Sequence, residues 1–264
     1  MKKYAICCNY NIDQSEKLTE SLIKELTLYN VDYKVIDVNS PEAGYDFVFV
    51  VGGDGTILKT ARFYSKYKTP IFGINLGHLG FLSQASNTNL KKAVQEIIEG
   101  NYSIEKRMML QSDRYLALND FVVKGETTSR AINFSLEINN KFVCEYFADG
   151  IIVSTPTGST AYSMAAGGPV LVPDIEAITI TPICPHTFSA RPIVVSSNSK
   201  IKIIANPSYK YKISADGQEV FTLNKEFIIN KSEMYANLAL LKDNDFFSIL
   251  KSKLNWGFSP YKNK

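Results

Sequence analysis

Apolar residues in the first hundred positions follow two alternating patterns. Short unbroken runs recur at Tyr4 to Asn9, Val35 to Val38, Phe47 to Val51 and Pro70 to Ile74. They are too short for helices and show no in–out alternation, so they read as strands buried on both faces of a parallel sheet. Between them, apolar residues recur every three or four positions. Leu18, Leu22, Ile23 and Leu26 do so within Ser15 to Tyr29, with Ser15 placed to cap. Ile57, Leu58, Ala61 and Tyr64 do so after Thr56, and Leu90 to Ile98 forms a third such stretch closed by Gly100. This spacing predicts amphipathic helices. Strand–helix alternation through residue 100 predicts an α/β, Rossmann-like N-terminal domain with a mostly parallel sheet.

The pattern changes near Tyr102. Ile132-Asn133-Phe134-Ser135-Leu136-Glu137-Ile138 alternates strictly, and turn residues such as Asn139-Asn140 and Asn206-Pro207-Ser208 punctuate the segments. This predicts antiparallel strands with one buried face, in a β-rich, sandwich-like C-terminal domain over 101–239. Phe246, Phe247, Ile249, Leu250 and Leu254 lie in a last segment, 240–264, expected to be helical and to pack back on the 1–100 domain.

Composition narrows the function classes. Hydrophobic residues make up 45% and charged residues 21%, as in ordinary globular proteins. The net charge of +3 is the difference between 29 basic and 26 acidic residues, and no long basic block marks a nucleic-acid or membrane surface. No apolar run approaches the ~18 residues of a membrane span, and no signal-peptide pattern follows Met1. A cytoplasmic protein with neither a nucleic-acid nor a membrane partner is expected. Cys7, Cys8, Cys144 and Cys184 form no C-x-x-C and lie far from His78 and His186 in sequence, so reduced, mostly buried thiols are expected rather than zinc ligands.

The chemistry centres on Phe47-Val-Phe-Val-Val-Gly-Gly-Asp-Gly-Thr56. A strand, a glycine turn and a helix start aim backbone N–H groups and a positive helix end at an anion. Asp54 inside such a turn is electrostatically awkward beside phosphates. It is either a turn residue, a holder of a bridging metal, or a proton acceptor for a hydroxyl attacking phosphorus. Neither G-x-x-x-x-G-K-[ST] nor G-x-G-x-x-G is present in this stretch. A second dense cluster, Thr155-Pro-Thr-Gly-Ser-Thr-Ala-Tyr162, offers hydroxyls and N–H groups for phosphate or ribose, or is an ordinary polar turn between strands.

Taken in order, these and further motifs resemble the bacterial NAD kinase family over nearly the whole chain. They are Gly52-Gly53-Asp54-Gly55-Thr56, Gly77-His78-Leu79-Gly80-Phe81-Leu82, Leu118-Asn119-Asp120, Asp149-Gly150, Thr155 to Ser163, Pro182 to His186, Arg191-Pro192 and Asp216-Gly217-Gln218. The glycine turn alone is shared with lipid kinases and phosphofructokinases; the long Thr155 run is far more specific. The resemblance implies phosphoryl transfer from ATP, or from polyphosphate in some members, to the 2′-hydroxyl of the adenosine ribose of NAD. It implies a divalent metal, Mg2+ by expectation, with no ligands assigned, and a homodimer or homotetramer. It makes Asp54 the proton acceptor and Gly52, Gly53, Gly55 and Thr56 the phosphate turn. Gly55 and Lys59 would line the NAD site, and Asn119 and Asp120 would bind the nicotinamide-side ribose or amide. Asp149 would hold polar groups of NAD. Thr160, Ala161, Tyr162, Ser163, Met164 and Ala165 would wrap the adenine and its ribose, and Gln218 would close the site. Arg130 stands where the family often has a basic residue. The chain departs from many relatives at Asp120, where Glu is common, and at Phe147, where some carry Arg. Competing readings are a lipid or sugar kinase on the same glycine turn, and a non-catalytic dinucleotide sensor.

Overall fold

The computed structural model describes residues 2–77, 80–126, 131–187, 189–205, 211–222, 226–242 and 245–255. Asn206-Pro207-Ser208, His78 and Arg130 therefore lie outside the described residues. The chain divides into two compact units: Met1–Lys106 together with Asn237–Lys264, and Arg107–Ala236.

The first unit runs β1 (Lys3–Cys8), α1 (Ser15–Thr27), β2 (Asp32–Asp37), β3 (Phe47–Val51), α2 (Asp54–Tyr64), β4 (Ile71–Asn75), β5 (Ser83–Ser86) and α3 (Leu90–Glu99). The sheet is parallel, in the order β2, β1, β3, β4, with β5 added beside β4. All five residues of β3 are buried, as an unbroken run at the centre of a two-sided sheet requires. Phe49 is fully enclosed, its ring 5.2 Å from Phe47, 5.9 Å from Tyr4 and 6.1 Å from Phe72. Leu18, Leu22 and Leu26 of α1 and Leu90, Val94 and Ile97 of α3 join the same core. Gly100 ends α3 at φ +81, the left-handed position a helix stop favours. One local expectation needs correction. Ser15 does not cap α1: Gln14 occupies the cap at φ +67, and the Ser15 hydroxyl donates to the Asn9 carbonyl at 2.6 Å instead. Gly53 is extended, so of the two glycines after β3 only Gly52 has positive φ.

β6 (Tyr102–Ser112) leads into the second unit: β7 (Tyr115–Ala117), β8 (Asp120–Gly125), β9 (Ile132–Ile138), β10 (Lys141–Ala148), β11 (Gly150–Ser154), a one-turn helix α4 (Tyr162–Ala165), β12 (Ala177–Ile183), β13 (Ile193–Ser196), β14 (Ile201–Ala205), β15 (Tyr211–Ala215) and β16 (Glu219–Phe221). β17 (Glu226–Leu241) returns the chain to the first unit, where Leu238 pairs with Ile71 and α5 (Phe246–Leu254) follows. In the second unit β13-β12-β11-β8-β15-β16 form one antiparallel sheet, and β10, β9, β14 and the start of β17 another. Alternate residues of both fill one core: Phe121, Val123, Ile151, Val153, Ile178 and Ile180 from the first, Phe134, Leu136, Ile201, Ile203 and Phe227 from the second. This is a β-sandwich, produced by the in–out alternation read from the sequence. Asn139 and Asn140, at φ +52 and +62, make the tight β9–β10 turn. Cys7 and Cys8 are buried and Cys144 half-buried, but Cys184 is exposed, against the expectation of mostly buried thiols. Burial pushes the Cys7 thiol up to about 11.

Emptying the centre of the first unit should be costly. Phe49→Ala is expected to destabilise that unit by about 3–5 kcal/mol, because β3 cannot collapse into the gap. Urea unfolding would read it; a loss below about 1 kcal/mol would contradict the packing described.

Candidate nucleotide and phosphoryl-transfer sites

In the first unit, Asn9, Asn39, Gly52 to Asp54, and Leu76 and Gly77 follow the carboxyl ends of β1, β2, β3 and β4, where open parallel sheets bind ligands. Gly52 sits at φ +156, and a Cβ there would lie 2.5 Å from Thr56 Oγ1, so only glycine lets the chain turn this sharply into α2. The Asn9 side chain donates to Thr56 Oγ1 at 3.1 Å and ties the turn to β1. The N–H groups of Gly53 and Asp54 have no hydrogen-bond partner among the described residues, as expected for the open end of a helix.

Asp54 is half-buried in the first turn of α2. Its carboxylate accepts from Phe81 N–H at 2.9 Å and, more weakly, from Leu82 N–H at 3.4 Å. Those bonds fix its direction. A Cβ on Gly80 would stand 2.0 Å from Asp54 Oδ1, so the glycine provides room for the carboxylate. Lys59, one turn further along α2, donates to Asn39 Oδ1 at 2.6 Å.

In the second unit the expected residues fall into two groups at opposite ends of β11. At one end, Asp120 opposes Ser154 across the ladder, with Asn119 and Thr155 beside them. A Cβ on Gly158 would meet the Asn119 carbonyl at 2.1 Å, so this turn closes only with glycine. At the other end lie Asp149 and Gly150, with Asp149 N–H donating to the Ile183 carbonyl at 3.0 Å. Phe147 is exposed there, its ring 5.1 Å from that of His186. Tyr162 of α4 packs on Val122, Ile152 and Ile183 and accepts a hydrogen bond from Lys124, whose ammonium also lies 4.5 Å from the ring centroid.

The hydroxyl-rich 155–163 segment turns most of its hydroxyls inward. Thr155 Oγ1 donates to the Leu118 carbonyl at 2.5 Å, Ser159 Oγ to Pro156 at 2.6 Å, and Thr160 Oγ1 to Thr157 at 3.3 Å; Ser163 Oγ pairs with Thr181 Oγ1 at 2.9 Å. Thr155, Ser159, Thr160 and Ser163 are buried, while Ala161, Tyr162 and Met164 are half-buried and Ala165 exposed. Gln218 is exposed, the last residue of the β15–β16 turn.

Sequence reasoning named Asp216 only as part of a motif. Its carboxylate accepts from Leu118, Asn119 and Asp120 N–H groups at 3.1, 2.7 and 3.2 Å. The signal available was an Asp-Gly pair closing a hairpin; its long-range partners are set by the fold. Lys124 and Arg107 were also missed. Arg107 is buried and donates to Thr157 Oγ1 at 3.3 Å.

The first unit thus carries an acidic glycine turn at a parallel sheet's carboxyl edge, and the second carries Asp120 on β8 and Tyr162 packed on Val122 and Ile152; the comparisons give the class, a nucleotide-binding phosphotransferase. Residues 6–102 match the ATP-NAD kinase N-terminal domain and 118–241 the ATP-NAD kinase C-terminal domain. The chain is 38% identical to the NAD kinase of Thermoanaerobacter sp. (strain X514), covering 96% of this chain and 99% of that protein. It is 43% identical to that of Clostridium botulinum (strain Loch Maree / Type A3), covering 91% and 88%. Its fold is similar to the crystal structure of an NAD kinase from Archaeoglobus fulgidus in complex with ATP, with TM-score 0.81, 33% identity and coverage of 97% and 99%. It is similar also to yeast NADH kinase complexed with NADH, with TM-score 0.85, 25% identity and coverage of 100% and 90%. The chain belongs to the NAD kinase family.

Two expectations follow from the geometry. Gly80→Ala should displace the Asp54 carboxylate and cut turnover by about 10²-fold while the fold persists; unchanged turnover would show that Asp54 direction is unimportant. The Asp120 carboxyl is pushed up to about 7, first by burial and then by the Asp216 carboxylate. From about pH 4 to 7 the unfolded chain has lost a proton that the folded state retains, so stability falls as pH rises through that window. Asp120→Asn should therefore gain melting temperature over wild type above pH 7 and lose the advantage near about pH 4. A constant difference across that range, in thermal melts, would refute the assignment.

Proposed function

We propose that Asp54 is the general base of an NAD kinase, taking the proton from the 2′-hydroxyl of the adenosine ribose as that oxygen attacks the γ-phosphorus of ATP. The enzyme is a phosphotransferase that uses ATP to convert NAD to NADP. The observation that carries the base assignment is the orientation of the Asp54 carboxylate by the Phe81 and Leu82 N–H groups, beside the open end of α2. A ribose hydroxyl is a poor nucleophile at neutral pH, and an aimed carboxylate answers that need. The donor's phosphates would be received by the Gly52-Gly53 turn, with Gly55 and Thr56, through N–H groups such as those of Gly53 and Asp54. Lys59 would lie along the NAD side of α2.

No convergent set of three or more His, Cys, Asp or Glu side chains occurs among the described residues. Mg2+, the expected cation, keeps several waters and would be held mainly through substrate phosphates. When bound, the cation would offset charge on the β- and γ-phosphates.

On the second unit, Asn119 and Asp120 would take the nicotinamide-side ribose or amide, and Asp149, with Phe147 beside it, polar groups at the other end of β11. Tyr162, with Ala161, Met164 and Ala165, would line the adenine and its ribose, while buried Thr160 and Ser163 hold that segment's shape. Gln218 would border the site, and Arg130 is retained as a contact by resemblance alone. A five-residue strand spans about 15 Å, a separation that suits an extended dinucleotide. Asp120 reaches one methylene less than the Glu of many relatives. A homodimer or homotetramer working in the cytoplasm is part of the same reading; no helix among the described residues is long and apolar enough to cross a membrane.

The experiment is NADP formation from NAD with Mg-ATP, coupled to an NADP-specific dehydrogenase. Wild type should form NADP and Asp54→Asn should lose about 10²–10⁴-fold in turnover with its melting temperature kept. Near wild-type turnover by Asp54→Asn would remove Asp54 from the base role.

A further inference from the structure

The Leu118-Asn119-Asp120 segment has all six of its backbone polar groups bonded, and one residue supplies most of the partners. Asp216 Oδ1 accepts from the N–H groups of Asn119 and Asp120 at 2.7 and 3.2 Å, and Oδ2 from that of Leu118 at 3.1 Å. In return Asp216 N–H donates to the Asp120 carbonyl at 2.9 Å. The two remaining carbonyls go to Thr155: its hydroxyl donates to Leu118 and its N–H, at 2.9 Å, to Asn119. Asp216 itself is held at φ +51 in the β15–β16 turn, followed by Gly217 at φ +66.

From this closed set we infer that Asp216 is a positioning residue for nucleotide recognition: it presents the Asn119 and Asp120 side chains to NAD without touching NAD itself. The inference rests on the proposal that Asn119 and Asp120 contact NAD. A carboxylate suits the task because both of its oxygens accept, whereas an amide would turn an NH2 toward one of the three N–H groups. The left-handed backbone at 216 is one that Asp tolerates better than most residues. An acid that only stabilised the hairpin would have no need to collect three N–H groups from a distant strand entry.

The test compares wild type with Asp216→Asn, which can keep the two bonds at Oδ1, and Asp216→Ala, which keeps none. KM for NAD and for ATP, kcat, the dissociation constant of NAD by calorimetry and the melting temperature are measured for each. The expected result is a graded rise in KM and Kd for NAD, Asn before Ala, reaching about ten- to a hundredfold. KM for ATP and kcat at saturating NAD should stay within about threefold. The Asp216→Asn effect on NAD binding should shrink in an Asn119→Ala background, because both changes act through one contact.

NAD binding by Asp216→Asn and Asp216→Ala at wild-type strength would overturn the inference. So would parallel loss of kcat, ATP affinity and melting temperature, which marks a structural role only. If wild type binds NAD but forms no NADP, the proposed reaction fails while the ratio of NAD dissociation constants still decides the role of Asp216. If wild type binds no NAD, both fall.

Discussion

A carboxylate in a glycine turn at the open end of a helix has no fixed direction unless something holds it. Here the Phe81 and Leu82 N–H groups do so, and most of the first unit's local architecture follows from that requirement. Residues 80–82 lie against the Asp54 carboxylate, so Gly80 must lack a side chain. β3 must end in a turn that only Gly52 can make. The strand itself must be apolar on both sides, since helices and neighbouring strands enclose it.

The second unit solves a different problem with similar means. Its hydroxyl-rich 155–163 segment keeps a rigid shape without a long helix to provide it. Buried hydroxyls bonded to nearby carbonyls and to one another supply that rigidity, with Gly158 permitting the closest approach to Asn119. Polar residues dense in a turn are thus internal struts as well as candidate ligands. The burial of Asp120 beside Asp216 is the electrostatic cost of this compactness, seen in its raised pKa.

Much of this was legible in the sequence because it depends on neighbours in the chain. The unbroken Phe47–Val51 run, the helical spacing of Leu18, Leu22 and Leu26, and the alternation from Ile132 to Ile138 are local patterns, and each appears as the element it implies. The acidic glycine turn was legible too. What was not legible needs residues far apart. Nothing near Asp216 reveals that its carboxylate reaches residues about a hundred positions away, and nothing near Gly80 reveals Asp54. Whether Ser163 faces a ligand or Thr181 is likewise a question of sheet packing. The Gln14 cap escaped for a subtler reason: Ser15 has the usual capping chemistry, but its hydroxyl is drawn to the Asn9 carbonyl by the tight turn after β1.

The route of the chain has a consequence for how the molecule is made. The second unit is continuous from Arg107 to Ala236, whereas the first is completed only when β17 returns and Leu238 reaches Ile71. On a ribosome, the sandwich can close while the α/β sheet still has one position unfilled, with Ile71 awaiting a partner more than 160 residues downstream. Contacts of such high sequence separation are slow to form. Until β17 arrives only the Ile71 end of β4 lacks its neighbour, because β5 already covers the Gly73–Asn75 end, so the late strand completes one short stretch of edge.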